Sequence, residues 1–132
     1  MNFITTKNPA AALSLIPWLV PNGQSIEEIY LELRERLEED PEETYVCMIV
    51  DGNFIKGMAI AYCRYNDVFI WQARKAGDLS SKFVNIALEN IKEWARNKGY
   101  DSISAVPIKP AKVFSRRFGF QKSINNEISI RI

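Results

Sequence analysis

The sequence predicts an α/β domain built on a mixed central sheet with helices on both faces. Two amphipathic stretches of helical period bracket a run of three strand-like segments. The segment from Val68 to Val106 reads strand, helix, strand, a crossover that within one sheet is parallel and right-handed. A chain of 132 residues, 47% hydrophobic and 25% charged, fits one such domain and leaves little room for a second. The whole chain, 1–132, is therefore read as a single domain.

The elements follow in order. Asn2 to Thr6 reads as a short first strand. Ala10 to Val20 is apolar but broken by Pro17, so it forms a short helix or turn packed on the body. Pro21, Asn22 and Gly23 punctuate the chain. Ser25 with Glu28 three residues later is a capping-box pattern, and Ile26, Ile29, Leu33 and Leu37 share one helical stripe. That helix runs from Ile26 to about Glu39 and stops before Pro41. Tyr45 to Val50 is a strand, apolar almost throughout, so alternation assigns it no faces. Asp51-Gly52 is a hairpin signal. Strands then follow over Phe54 to Tyr65 and Val68 to Ala73, completing an antiparallel meander. Arg74 to Ser80 is polar and contains Gly77. Ser80 or Ser81 caps a helix running to about Asn97, with Phe83, Ala87, Ile91, Trp94 and Ala95 on its apolar face and a stop at Gly99. Tyr100 to Val106 is a strand and Ala111 to Phe118 a short helix. Phe120 to Ser123 and Glu127 to Ile132 form a last strand pair.

Composition narrows the chemistry. Formal net charge is +1, which provides no global field for nucleic acid or an anionic membrane. Histidine is absent, which removes His-based triads, His–metal sites and His general bases, and no metal site is expected. Cys47 and Cys63 lie in apolar segments and read as small core residues. The Ala10–Val20 run is too short to span a bilayer, and a cytoplasmic protein is expected.

Two segments carry a family resemblance. In VFIWQARKAGDLSSKFVNIALENIKEWARNKGYDSI, Arg74 and Gly77 stand at the first two positions of an Arg/Gln-x-x-Gly-x-Gly/Ala loop between a strand and a long helix. In KVFSRRFGF, Phe114, Arg117, Gly119 and Phe120 match a second signature. Together with the element order, these resemble the GNAT superfamily of acyl-CoA-dependent N-acetyltransferases, as a divergent member. The resemblance implies an acyl-CoA N-acyltransferase-like fold, acetyl-CoA or another acyl-CoA as cofactor, and direct transfer to an amine on a small molecule or protein. It places the cofactor near Ala73, Arg74, Lys75, Gly77, Leu79, Ser80, Ser81, Phe114 and Arg117. The backbone N–H groups of such a loop make an anion nest, and Gly77 would allow close approach or a positive φ. A strand-end N–H near Trp71 to Arg74 is the candidate for polarising the thioester carbonyl.

The chain departs from that pattern. Leu79 stands where the family has Gly or Ala, and Asp78 adds a negative charge, pointing to solvent or capping the helix. Ile108 replaces a common Asn. Ser115 stands where many members have the Tyr that protonates the thiolate. Tyr62, Tyr65, Gln72 and Ser115 remain as weak catalytic candidates, with Glu42 and Glu43 weaker still. Lys109, Lys112, Arg116 and Arg117 form a basic group, read as a solvated face or a cofactor contact rather than a nucleic-acid patch. The alternative is a catalytically inactive interaction or coenzyme A-sensing module. A homodimer or protein partner could supply walls that a short chain lacks. An enzyme requires an open splay beyond Arg74 with Leu79 turned away, whereas a scaffold would fill that groove.

Overall fold

The computed structural model describes residues 1–107, 116–123 and 126–132. Among them, β1 (Asn2–Thr6), β2 (Thr44–Asp51), β3 (Phe54–Cys63), β4 (Val68–Lys75), β5 (Ser102–Ala105), β6 (Gln121–Lys122) and β7 (Ile128–Arg131) form one sheet. Their spatial order is β1-β2-β3-β4-β5-β7-β6. β4 and β5 pair in parallel, and the other neighbours pair antiparallel. The expected mixed sheet is therefore present, with the meander and the crossover where the sequence placed them.

The period of the strands sorts two cores. Val46, Met58 and Ile60 face one side, where they meet α1 (Ala11–Leu15) and α2 (Ile26–Glu39) through Leu15, Ile29, Leu33 and Leu37. Tyr45, Cys47, Ala59, Ala61, Val68, Ile103 and Ile128 face the other, under Ile91 and Ala95 of α3 (Ser81–Asn97). β2 is covered on both sides, which is why it is apolar throughout and alternation could not assign it.

Local signals set the helix ends. Ser25 Oγ accepts the Glu28 N–H at 3.1 Å and caps α2. α3 ends as the sequence predicts: Gly99 takes φ 90°, its N–H donates to Arg96 C=O, and the Tyr100 N–H reaches Ala95 C=O. The apolar Ala10–Val20 run becomes α1 plus a 3-10 turn over Ile16–Trp18 with Pro17 in its first turn.

Some boundaries differ from expectation. β3 stops at Cys63 because the Arg64 N–H donates to Asp67 C=O at 2.7 Å and closes the turn, leaving Tyr65 outside the strand. β4 runs on to Lys75, still paired with Gly57, and the Ala76 N–H extends the ladder to Lys56 C=O at 2.8 Å. β5 covers Ser102–Ala105 only. Residues 116–118 are helical, while the earlier part of the Ala111–Phe118 helix lies outside the described residues. Both cysteines are free, and burial pushes the Cys47 thiol up to about 12.

One polar cluster ties four segments. The Arg64 guanidinium binds Asp67 at 2.7 and 2.8 Å and Glu127 at 2.9 and 3.0 Å, and lies over the Phe69 ring. Ser104 Oγ donates to Asp67 at 2.5 Å. Burial alone would raise the Asp67 carboxyl. The bonds from Arg64 and Ser104 outweigh burial and hold it below its ordinary value. A depressed carboxyl stabilises the fold above its unfolded pKa, roughly 4, and loses that contribution as pH falls through the folded value. Asp67→Asn is expected to cost about 2 kcal/mol at pH 7, less than a fully buried pair because Arg64 is partly exposed. Urea unfolding of both proteins should show that gap narrowing as the pH is taken below 4. An unchanged gap would mean the charge is not what Asp67 contributes.

Candidate functional site

The site begins where the parallel ladder ends. β4 pairs with β5 only at Val68↔Ile103, Phe69↔Ser104 and Ile70↔Ala105. From Trp71 to Lys75, β4 continues with β3 alone. Backbone groups that point away from β3 there have no neighbour in β5, so a strand edge is open to a ligand.

A bulge sits at that point. Ile60 pairs with Gln72 and Ala61 with Ile70, which leaves Trp71 without a counterpart on β3. The extra residue turns Trp71 and Gln72 to the same face. Trp71 packs on the α1–α2 core, edge-on to Tyr62. Gln72 is buried, and its Oε1 accepts the Val20 N–H at 3.3 Å, fastening the chain after α1 to β4. Ala73, Arg74 and Lys75 are exposed.

The loop that follows is compact. The Leu79 N–H donates to Ala76 C=O, and Lys75 Nζ donates to Leu79 C=O at 3.1 Å. Leu79 is 4% exposed and turns into the body. Its Cδ2 lies 3.1 Å from where a Cβ on Gly57 would stand, so the leucine is seated on a glycine of β3. The side chain that departs from the family pattern therefore leaves the loop's outer surface clear. Asp78 neither caps the helix nor stands alone in solvent. It pairs with Lys56 Nζ at 3.0 Å, and that bond holds its carboxyl below the usual range.

Gly77 is exposed, and a Cβ there would meet nothing within 4 Å. Its φ is not among the positive ones, so the expected left-handed geometry is not used. What the glycine leaves is open space. Ser80 is the N-cap of α3 but makes no side-chain cap bond, and Ser80 and Ser81 are both exposed. The first-turn N–H groups of a helix have no intrahelical partner. At the start of α3 the Phe83 N–H donates to Ser80 C=O at 3.2 Å, and the helix begins three residues after Gly77's neighbour Asp78, at the positive end of its dipole.

The remaining predicted residues are dispersed. The Tyr62 ring lies 3.7 Å beneath the Arg36 guanidinium, and burial raises its pKa. Tyr65 is 96% exposed in the β3–β4 turn, at the opposite end of β4 from Arg74, so it does not join the site. Glu42 precedes β2 at that same far end and pairs with Lys7 and Lys98. Arg117 is exposed. Phe114 and Ser115 lie outside the described residues, as do Ile108, Lys109 and Lys112.

Sequence reasoning missed one feature. A groove of about 480 Å³ lies against the end of β4, walled by Pro17 to Pro21 and by Arg74 and Lys75. Pro17 and Pro21 bracketing an apolar run gave a signal for a rigid segment, but not for its contact with β4. Among the described residues no group of three or more Cys, Asp or Glu side chains could hold a metal ion, and no helix is long and apolar enough to cross a membrane.

No family model matches the sequence, and no curated protein matches it. Solved structures do match the fold. A predicted acetyltransferase from Clostridium acetobutylicum, solved with acetyl-CoA, superposes with a TM-score of 0.76 at 12% identity, covering 94% of this chain and 92% of that one. An acetyltransferase assigned to the GNAT family, from Desulfovibrio desulfuricans, gives 0.68 at 15% identity over 98% and 95%. The PaiA N-acetyltransferase of Thermoplasma acidophilum, in complex with coenzyme A, gives 0.64 at 12% identity over the full length of both chains. The chain therefore has the acyl-CoA N-acyltransferase fold of the GNAT proteins, in a sequence far diverged from theirs.

Proposed function

We propose that this chain binds an acyl-CoA across the end of β4 and the start of α3, and transfers its acyl group to an amine. The observation that carries the reading is the stretch of β4 from Trp71 to Lys75, open on the side away from β3 and leading into a loop from which the Leu79 side chain is withdrawn. The fold-mates solved with acetyl-CoA and with coenzyme A support it.

The residues present suit the group. Gly77 leaves room for a phosphate against the backbone, and the uncapped first turn of α3 offers N–H donors to it. Leu79 is withdrawn onto Gly57, and the Asp78 charge is offset by Lys56. The free edge of β4 would hold an extended amide-bearing arm by backbone hydrogen bonds. A concavity along α3, lined by Lys82, Asn85, Ile86, Glu89 and Asn90, begins at the same helix end. When bound, an acyl-CoA supplies a thioester whose acyl group moves from sulfur to the amine nitrogen, the amine's proton passing to the sulfur. The bulged backbone at Trp71 is the candidate for polarising that carbonyl through an N–H. Trp71 and the Pro17–Pro21 wall would keep water from the reacting end.

A second reading is coenzyme A binding without turnover. It is favoured by Gln72, whose side-chain oxygen is already taken by the Val20 N–H and so does not orient an amine or a water.

Calorimetric titration with acetyl-CoA is expected to show saturable micromolar binding. Gly77→Trp should abolish it while changing stability by no more than about 0.5 kcal/mol, because the new side chain points into open space. No binding at millimolar ligand would overturn both readings. An acetyl-transfer assay over an amine panel then separates them. Leu79→Ala, which brings the loop closer to the family pattern, is expected to destabilise the fold by about 2–3 kcal/mol and leave acetyl-CoA affinity within about threefold. Much tighter binding would mean that Leu79 obstructs the site after all.

A further inference from the structure

The groove beside β4 carries information about the acceptor, and reading it in this way rests on the acyl-transfer proposal above. Its wall is preorganised. Pro17 and Pro21 restrict the backbone, Leu19 is buried, and the Val20 N–H is held by Gln72. It is an open surface groove of about 480 Å³.

The charges along the groove are all of one sign. Among the described residues that line it, Arg74 and Lys75 are charged and neither Asp nor Glu appears. Lys75 spends its ammonium on the carbonyls of Leu79 and Ala76. Arg74 pairs in register with Met58, which belongs to the α1–α2 core, so its side chain leaves the sheet on the groove side, away from α3. It is exposed and makes no ion pair among the described residues. The nearest loop acid, Asp78, is engaged with Lys56. What remains is a groove walled mainly by apolar residues, with a guanidinium at its lip that has no ion-pair partner among the described residues.

The complement of that surface is an apolar body bearing an anion, and a planar guanidinium favours a carboxylate held by two parallel bonds. A polyamine or a lysine-rich peptide would meet only cations. The geometry points to an acceptor of the amino-acid class: a small apolar amine with a carboxylate, its body against Trp18 and Pro21 and its carboxylate on Arg74.

The test is calorimetric titration of the full chain with L-phenylalanine, phenylalaninamide, phenethylamine and spermidine, each with and without saturating coenzyme A. L-Phenylalanine is expected to bind at least about tenfold more tightly than the three probes without a carboxylate. Arg74→Gln should erase the difference. So should Pro21→Asp, which adds a carboxylate at the exposed lip without touching the loop. Coenzyme A is titrated into each variant to read the donor side separately. If coenzyme A fails to bind while the carboxylate preference is present, the groove assignment stands and the acyl-transfer reading falls. Equal or tighter binding of phenethylamine or spermidine overturns the inference. So does a preference that survives Arg74→Gln, no binding of any probe at millimolar concentration, or competition between phenylalanine and coenzyme A.

Discussion

The three residue pairs that join β4 to β5 are the constraint from which the rest follows. A parallel pair needs a long crossover, and α3 is that crossover, packed on the sheet through Ile91 and Ala95. Because β5 ends at Ala105 while β4 runs to Lys75, the crossover leaves from a strand that has already lost its neighbour. The loop and the N-terminus of α3 are thereby set beside an open strand edge. A longer β5 ladder would close that edge. The bulge at Trp71 adds local twist at the same place and puts two adjacent side chains on one face, which lets Gln72 reach Val20. The groove wall and the open edge thus have a common origin.

Leu79 shows how a departure from a motif can be absorbed. Read along the chain, a leucine in a phosphate loop looks obstructive. In the fold, the bulk is moved one strand inward, onto a position where Gly57 has none. The exchange costs the loop no outer surface, and the buried leucine anchors it. Lys56, next to Gly57, offsets Asp78 in the same way. Two departures that appear independent in sequence are answered by consecutive residues of β3.

What could be read from the sequence was what depends on near neighbours. Ser25 with Glu28, Gly99 after a helical stripe, and Asp51-Gly52 between apolar runs each act within a few residues, and each element they bound is present. The crossover and the sheet class followed from element order. The faces of β2 did not, because both are buried and its pattern carries no contrast. The Arg64–Asp67–Ser104–Glu127 cluster joins residues up to 63 positions apart, and no local spacing announces it. The same is true of the Gly57–Leu79 contact and of the groove, whose two sides are the segment after α1 and the end of β4. Of the two uses that Gly77 offers in sequence, close approach or a positive φ, the second is not taken up, and the space where a side chain would stand is open.

For the proposed acyl transfer, proton transfer is the smaller of two contributions to the rate. General acid–base catalysis contributes typically 10²–10⁴-fold, about 3–5 kcal/mol. Holding two reactants in attack geometry is worth roughly 7–11 kcal/mol. A site that, as proposed, held an acyl donor on the strand edge and an amine against the proline-braced wall would retain the larger of these. The smaller is needed only in proportion to how strongly the amine holds its proton. On that reading the engagement of Gln72 with Val20 would leave the main source of rate enhancement in place. On the proposed reading Arg74 is the residue on which the distinction turns, because it would set where an acceptor sits.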